Sequence, residues 1–329
     1  MTLNVKSRLL KLLEENRDGY ISGAALAREL TVSRNAVWKA VESLRAAGYE
    51  ISAVTNKGYR LERGGDILSE AGIEGFLKTA GVFSVHVRKT ATSTNTVLRE
   101  QAAKGAPEGT VLAAEMLTAA KGRQGRGFYA PADHGAYFSL ILRPGLKAAD
   151  ASLITSAAAV ATARAIEEVI GVHVGIKWVN DLFFDGKKVC GILTEASFDM
   201  ESGLIESAVL GIGINVTSPV GGFPENVRDA ATALTDRHTG RDGERNRLIA
   251  AVLDNFWEYY RDLPARRFLD EYRTRSIVLG RDIFVLSGDE KRPAHALEID
   301  DECGLLVRYE DGQTAILGAG EVSIRPAGE

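Results

Sequence analysis

Residues 121–126 read Lys-Gly-Arg-Gln-Gly-Arg, three cations and two glycines in six positions. Glycine lets backbone amides approach an anion, and the Arg and Lys side chains neutralise it. Further along stand Lys177-Trp178-Val179-Asn180-Asp181 and then Gly186-Lys187-Lys188-Val189-Cys190-Gly191-Ile192-Leu193. An Asn-Asp pair and a second lysine suit the other end of a charged substrate. Together the segments are equipment for activating a carboxylate with a nucleotide.

Rival chemistries lack their residues. The 121–127 loop has no Gly-Lys-Ser/Thr ending of a nucleotide P-loop, and Gly211-x-Gly213 lacks the third glycine of a dinucleotide fingerprint. The chain has no His-Glu-x-x-His and no Gly-x-Ser-x-Gly. Taken alone, the basic loop reads equally well as a solvated surface turn. Cys190 and Cys303 are the only cysteines and no histidines cluster near them, which argues against zinc and suits a reducing cytoplasm. The absence of a charged-then-apolar leader or a long apolar run points away from secretion and membranes.

The elements that must position these residues follow from periodicity. At 329 residues, 45% hydrophobic and 26% charged, the chain is of ordinary globular composition and long enough for two or three domains. Val5, Leu9, Leu10, Leu12 and Leu13 mark one helix, and Ser22 caps a second carrying Leu26 and Leu30. A third runs from about Arg34 to Ala47 with Val37, Val41 and Leu44 at helical spacing. Residues 49–54, 56–58 and 59–61 then read as strand, turn and strand. That is a winged helix-turn-helix over residues 1–64. Ser33, Arg34, Asn35 and Lys39 would face a major groove, and Lys57 sits at the wing tip. Residues 1–64 hold 11 Lys and Arg against seven Asp and Glu, whereas the remainder holds 29 against 37, so the basic module suits a polyanion.

Arg63–Asp66 reads as a linker. Residues 65–275 predict a mixed β-sheet with helices on one face, because strands at 82–89, 110–117, 136–142, 174–178, 181–184, 191–196 and 204–216 sit apart from helices at 151–170, 245–263 and 265–272. Residues 276–329 are short strands with turns at Ser287-Gly288-Asp289, Asp300–Gly304 and Asp311-Gly312, the pattern of a small SH3-like barrel.

With its motifs in this order, the chain resembles the bifunctional biotin protein ligases that also repress the biotin operon. The resemblance spans nearly the whole length. It is carried by Thr92-Ser93-Thr94-Asn95, the 121–126 loop, Lys177–Asp181, Lys188–Leu193, Gly211-Ile212-Gly213-Ile214-Asn215, Gly320–Arg325 and the wing segment Lys57-Gly58-Tyr59-Arg60-Leu61. It implies a multidomain α+β protein with the class II synthetase-like biotin/lipoate ligase fold. Its implied reaction couples biotin to ATP with Mg2+, giving biotinyl-5′-adenylate, then transfers biotin to a lysine of a biotin carboxyl carrier protein. Operator DNA and a homodimer formed on adenylate binding are its implied partners. The methionines Met1, Met116 and Met200 flank no lysine, so the chain is not itself a carrier.

The resemblance also distributes roles. Arg123 retains the adenylate, and Arg126 with the amides of Gly122 and Gly125 holds phosphate oxygens. Lys188 bridges the biotin carboxylate and the α-phosphate. Asp181 positions the reacting groups or the Mg2+, beside Asn180 on the nucleotide. Ser93, Thr94 and Asn95, with Leu117, Lys121, Gly122 and Gly191, border biotin. Asn215 reads the adenine edge, Arg325 reaches the triphosphate, and Trp178 is structural support.

Four positions depart from the family's pattern. Leu117 replaces a glutamine of the biotin pocket, a loss worth about 1–3 kcal/mol if a buried partner is left unpaired. Ala120 replaces a glycine and would be strained at positive φ. Lys121 replaces an arginine and lacks its planar fork. Val179 replaces a proline and would loosen the entry to its strand. These substitutions keep two rivals open, a ligand-sensing regulator with weak or lost catalysis and a lipoate-type ligase.

Overall fold

The computed structural model describes residues 4–62, 65–79, 81–199, 201–235, 243–287, 290–318 and 323–326. The first three helices are α1 (Val5–Glu15), α2 (Gly23–Leu30) and α3 (Arg34–Ala46). Ser22 and Ser33 accept hydrogen bonds from the N–H groups of Ala25 and Ala36, so α2 and α3 begin where a side-chain oxygen satisfies an orphan donor. The wing pairs β1 (Ile51–Val54) with β2 (Gly58–Leu61) in antiparallel register. Gly58 is required there: its φ is 113°, and a Cβ would lie 2.0 Å from the Ile21 carbonyl oxygen. Leu9, Leu13, Val37, Val41 and Leu44 close a core separate from the rest of the chain.

The central region runs α4 (Glu70–Phe76), β3 (Ser84–Ala91), α5 (Thr94–Ala103), β4 (Thr110–Leu117), β5 (Gly135–Leu142), α6 (Ala151–Val169), β6 (Gly175–Lys177), β7 (Asp181–Phe184), β8 (Lys187–Phe198), β9 (Ile205–Asn215), α7 (Glu244–Tyr260) and α8 (Leu269–Thr274). Seven strands form one sheet in the order β3-β4-β5-β9-β8-β7-β6, antiparallel except for β3 beside β4. Alternation along the strands gives each face its own partner. Phe138, Leu140, Ile192, Leu210 and Ile214 share a core with α6 and α7. Ile141, Leu112 and Val209 meet Leu98 and Ala102 of α5. The short helices α4 and α5 were not expected from periodicity; each instead begins at a serine cap, Ser69 or Ser93.

The C-terminal strands β10 (Asp282–Ser287), β11 (Glu290–Ile299), β12 (Leu305–Tyr309), β13 (Thr314–Leu317) and β14 (Ser323–Pro326) form an antiparallel sheet in the order β13-β12-β11-β10-β14. It realises the expected small β domain, with no pairing between its edge strands among the described residues. Its core is continuous with that of the central region. The connecting segment also covers the free edge of β6, where Ile176 exchanges backbone hydrogen bonds with Arg275 and Ile277. No helix among the described residues is long and apolar enough to cross a membrane.

The start of α7 clamps the chain that leaves the wing. Arg245, only 2% exposed, donates to Asp66 Oδ2 from Nε at 2.8 Å and to Glu115 Oε2 from Nη1 at 2.6 Å. Asn246 donates to the Ile67 carbonyl and accepts from the Ser69 N–H. On the helix side, Ser7 of α1 donates to Glu74 of α4 at 2.6 Å. One buried cation thus ties the linker to β4, two residues before Leu117. Replacing Arg245 with Ala removes the buried cation from between two part-buried carboxylates and is expected to cost about 3–5 kcal/mol in urea unfolding. A loss below about 0.5 kcal/mol would show that the clamp contributes no more than a surface contact.

Candidate active site and DNA interface

The register of β8 and β9 makes the site. Gly191 pairs with Gly213 and Leu193 with Gly211, so three glycines fall on the same sheet face. Missing side chains there leave a cavity of about 210 Å3. A Cβ on Gly211 would lie 2.0 Å from Asn95 Oδ1, one on Gly213 2.8 Å from the Phe128 ring, and one on Gly191 3.0 Å from Lys188 Nζ. The glycines are therefore room for those three side chains as much as for a ligand.

The cavity brings together most of the residues expected from sequence: Ser93, Thr94, Asn95, Leu117, Lys121, Gly122, Arg123, Arg126, Asn180, Asp181, Lys188 and Gly191 all border it. The Lys188 ammonium lies 2.6 Å from Asp181 Oδ1, an ion pair between neighbouring strands. Arg123 Nη1 donates to Asn180 Oδ1 at 3.4 Å, and Asn180 Nδ2 donates to the Ile192 carbonyl at 2.7 Å. Burial holds the Arg123 guanidinium below its ordinary pKa, with Asp181 acting in the opposite sense. Four cationic side chains, Lys121, Arg123, Arg126 and Lys188, and one carboxylate, Asp181, thus border a part-buried space, which is an anion site with a built-in counter-charge. Burial pushes the Cys190 thiol far up, so this neighbour of Gly191 is not a nucleophile.

Several expectations are corrected. Asn215 does not border the cavity; its Nδ2 donates to the Thr232 carbonyl, pinning the 230–235 segment that runs beside β8 and β9. The Gly122 N–H is not free for phosphate, because it donates to the Arg126 carbonyl at 2.7 Å and closes the loop on itself. Ala120 does not have a positive φ, so its replacement of glycine brings no backbone strain; Gly125, at φ 72°, takes the left-handed position in the loop. The turn at Val179 is not loosened: Tyr272 Oη donates to the Val179 carbonyl, and Trp178 Nε1 donates to the Cys303 carbonyl, both at 2.9 Å. Trp178 is structural, as expected. Arg325 lies on β14 by its backbone, while its side chain, with Arg63-Gly64, Gly288-Asp289 and Gly320–Val322, lies outside the described residues.

Sequence reasoning missed Phe128, which borders the cavity. Phe128 closes the loop through its N–H to the Ala120 carbonyl and packs over Gly213. The spacing of Gly211 and Gly213 was the available signal, since alternate glycines in a strand mark close approach on one face.

On the N-terminal domain, Arg34, Asn35, Lys39 and Lys57 are exposed, as is Ser33, whose oxygen caps α3. Trp38 stands beside them on α3, 51% exposed, an aromatic the periodicity did not single out. A basic helix face with an aromatic, flanked by a wing, matches a nucleic-acid contact.

The fold and the site together define a carboxylate-activating ligase carrying a helix-turn-helix module. Residues 87–215 match the Biotin/lipoate A/B protein ligase family, and residues 5–60 match an HTH domain. The bifunctional ligase/repressor of Bacillus subtilis is 35% identical over 324 residues, covering 97% of this chain and 98% of that protein. The biotin–[acetyl-CoA-carboxylase] ligase of Mycobacterium tuberculosis is 33% identical over 70% of this chain and 85% of its own length. Among solved structures, the Aquifex aeolicus biotin protein ligase in complex with biotin and ATP superposes with a TM-score of 0.60 at 26% identity, covering 74% of this chain and 99% of that one. The chain belongs to the biotin protein ligase family, in its bifunctional ligase/repressor form.

A Cβ at Gly213 would force the Phe128 ring away and open the loop. Gly213→Ala is expected to weaken ligand binding by about tenfold or more, a change of about 1.4 kcal/mol, measured by calorimetry with biotin and ATP. Unchanged affinity would show that Phe128 is not part of the cavity's closure.

Proposed function

We infer that the chain is a biotin protein ligase and biotin-responsive repressor. The reading is carried by one observation: Lys188, Asp181, Arg123 and Asn180 converge on a glycine-floored cavity that Ser93 and Thr94 also border. Biotin enters with its ureido ring toward those hydroxyls and its carboxylate toward Lys188. MgATP supplies the metal as part of the substrate. The carboxylate oxygen attacks the α-phosphorus, a C(O)–O–P bond forms, and pyrophosphate leaves with the P–O bond that breaks. Lys188 lowers the mutual repulsion of the two anions and stabilises the charge that grows on the phosphoryl oxygens. Asp181 holds the ammonium in place. Arg123, buttressed by Asn180, keeps the adenylate from water.

In the second step a lysine amine of a biotin carrier domain, as on acetyl-CoA carboxylase, attacks the acyl carbon. AMP leaves and the amine gives up a proton. When no acceptor is at hand, the bound adenylate orders the 121–128 loop and promotes a homodimer in the cytoplasm. The two winged helices then read a two-fold operator. Asp181, Arg123 and Lys188 act in catalysis, and Leu117 replaces a polar contact to biotin with an apolar wall.

The test mixes the purified chain with biotin, MgATP and an apo carrier domain and reads the carrier's intact mass. A gain of one biotinyl group is expected, with Lys188→Met reducing the rate at least about 100-fold. A folded chain that binds biotin but gives no gain would favour the sensor-only regulator instead. For the DNA domain, Arg34→Ala and Lys57→Ala should each flatten the dependence of log K on log salt by about 0.9 on random duplex DNA. An unaltered slope in both would remove these residues from the interface.

A further inference from the structure

Lys188 and Gly191 are an odd number of positions apart on β8, so strict alternation would put them on opposite faces of the sheet. A β-bulge prevents this. Leu182 of β7 pairs with Cys190, and Phe183 pairs with Lys188, so Val189 is the extra residue of the ladder. It turns inward together with Cys190, and both are fully buried. Lys188 is thereby left on the face of Asp181 and Gly191, where it borders the cavity.

The bulge lies where β8 also parts from its other neighbour. Pairing with β9 ends at Cys190 and Ile214, and the segment 230–235 takes the place of β9 beside Lys188. The Lys188 N–H donates to the Ala230 carbonyl, and the Thr232 N–H donates to the Lys188 carbonyl, both at 2.9 Å. The segment is held in turn by Asn215, the last residue of β9. Asn215 Nδ2 donates to the Thr232 carbonyl at 3.1 Å, and the Asn215 carbonyl accepts from the Leu234 N–H at 3.1 Å. Thr232 therefore stands one hydrogen bond from Asn215 and one from Lys188. Asn215 itself is 6% exposed and does not border the cavity.

We propose that Asn215 is a positioning residue for Lys188, acting through Thr232 to fix the backbone from which the ammonium is aimed. The inference rests on the ligase reading of Lys188 and deepens it. A bulge disrupts the ladder locally, so the head of β8 depends on the 230–235 segment for its remaining backbone bonds. The Lys188 ammonium rides on a flexible four-carbon stem and must meet two anions at once during adenylation. A displacement near an ångström is then felt in the rate. This role differs in kind from reading adenine. A base contact made equally in the bound substrate and the transition state changes nucleotide affinity, whereas the aim of the ammonium changes the rate at saturation.

The experiment gives the full chain biotin, Mg2+ and either ATP or ITP, which differ at the purine 6-position, and follows single-turnover adenylate formation by pyrophosphate release. Asn215→Ala is expected to lower the saturating rate about 10- to 100-fold. The ATP concentration for half the maximal rate should stay within about twofold, and the ATP-to-ITP preference should be unchanged. Thr232→Pro, which removes the N–H donated to the Lys188 carbonyl and leaves Asn215 in place, should reproduce that pattern. A half-saturating ATP concentration raised about tenfold or more at an intact rate, with the ATP-to-ITP preference lost, would overturn the proposal and make Asn215 a base-reading residue. A lower melting temperature with the saturating rate unaltered would overturn it too, leaving Asn215 a structural role. A full rate in Thr232→Pro would be equally fatal. If Asn215→Ala does not fold, Thr235→Val takes its place: it keeps the side-chain shape and removes only the hydroxyl that donates to the Val216 carbonyl at 3.2 Å, a further tie of the same segment. A loss of about threefold or more in the saturating rate is expected there, and an unaltered rate again sinks the idea. Wild type that forms no adenylate at all would bring down the ligase reading itself.

Discussion

The site depends on a place where side chains are missing. Gly191, Gly211 and Gly213 share one face of β8 and β9, and the antiparallel register sets them side by side. A bare patch in the middle of a seven-stranded sheet would ordinarily weaken it, since glycine adds nothing to cross-strand packing. Here the loss is offset on the reverse face, where Ile192, Ile212 and Ile214 join the core under α6 and α7. The same alternation that hides the isoleucines exposes the glycines. Everything else at the site leans into the space they leave: Asn95 from α5, Phe128 from the basic loop and Lys188 from the head of β8.

The charges around this floor are arranged to be stable without a ligand and useful with one. Lys188 is paired with Asp181, so its ammonium has a counter-charge within the protein. Arg123 has Asn180 as a neutral partner, and burial lowers the stability of its charge. An anionic ligand relieves both conditions at once. It adds negative charge beside the part-buried Arg123 guanidinium and shares the ammonium that Asp181 holds. This is how a site can be preorganised for a mixed anhydride of carboxylate and phosphate without being destabilised by its own like charges.

The same strands connect the cavity to the DNA-binding module. β4 carries Glu115 and then Leu117, the first held by Arg245 and the second on the cavity wall. Arg245 also holds Asp66, so the segment leaving the wing and the strand leading to the basic loop share one buried cation. Packing of α1 on α4, with the Ser7–Glu74 hydrogen bond, adds a second contact. The two modules therefore meet through specific polar partners and through Ile67 and Ala71, which pack on the N-terminal core, while the two buried clusters stay distinct.

Much of this was legible from the chain alone. Helical spacing located α1, α3, α6 and α7, serine caps located α2, and alternation located β4, β5 and β9 to within a residue or two. Local chemistry is enough for that, because caps and periodicity act over a few residues. The basic loop, Asp181 and Lys188 also declared their type and order. What the chain could not declare was which atoms are already occupied. Asn215 and the Gly122 amide looked available and are bonded within the protein, while Ala120 looked strained and is not. Ser139 and Glu195 looked like ordinary strand residues, and their alignment with Asn95 exists only across strands far apart in sequence. Sequence determined the elements and the kinds of groups this protein carries. Tertiary structure decided which of those groups face an open space and which are bonded within the protein, since partners and register are long-range properties that no local pattern encodes.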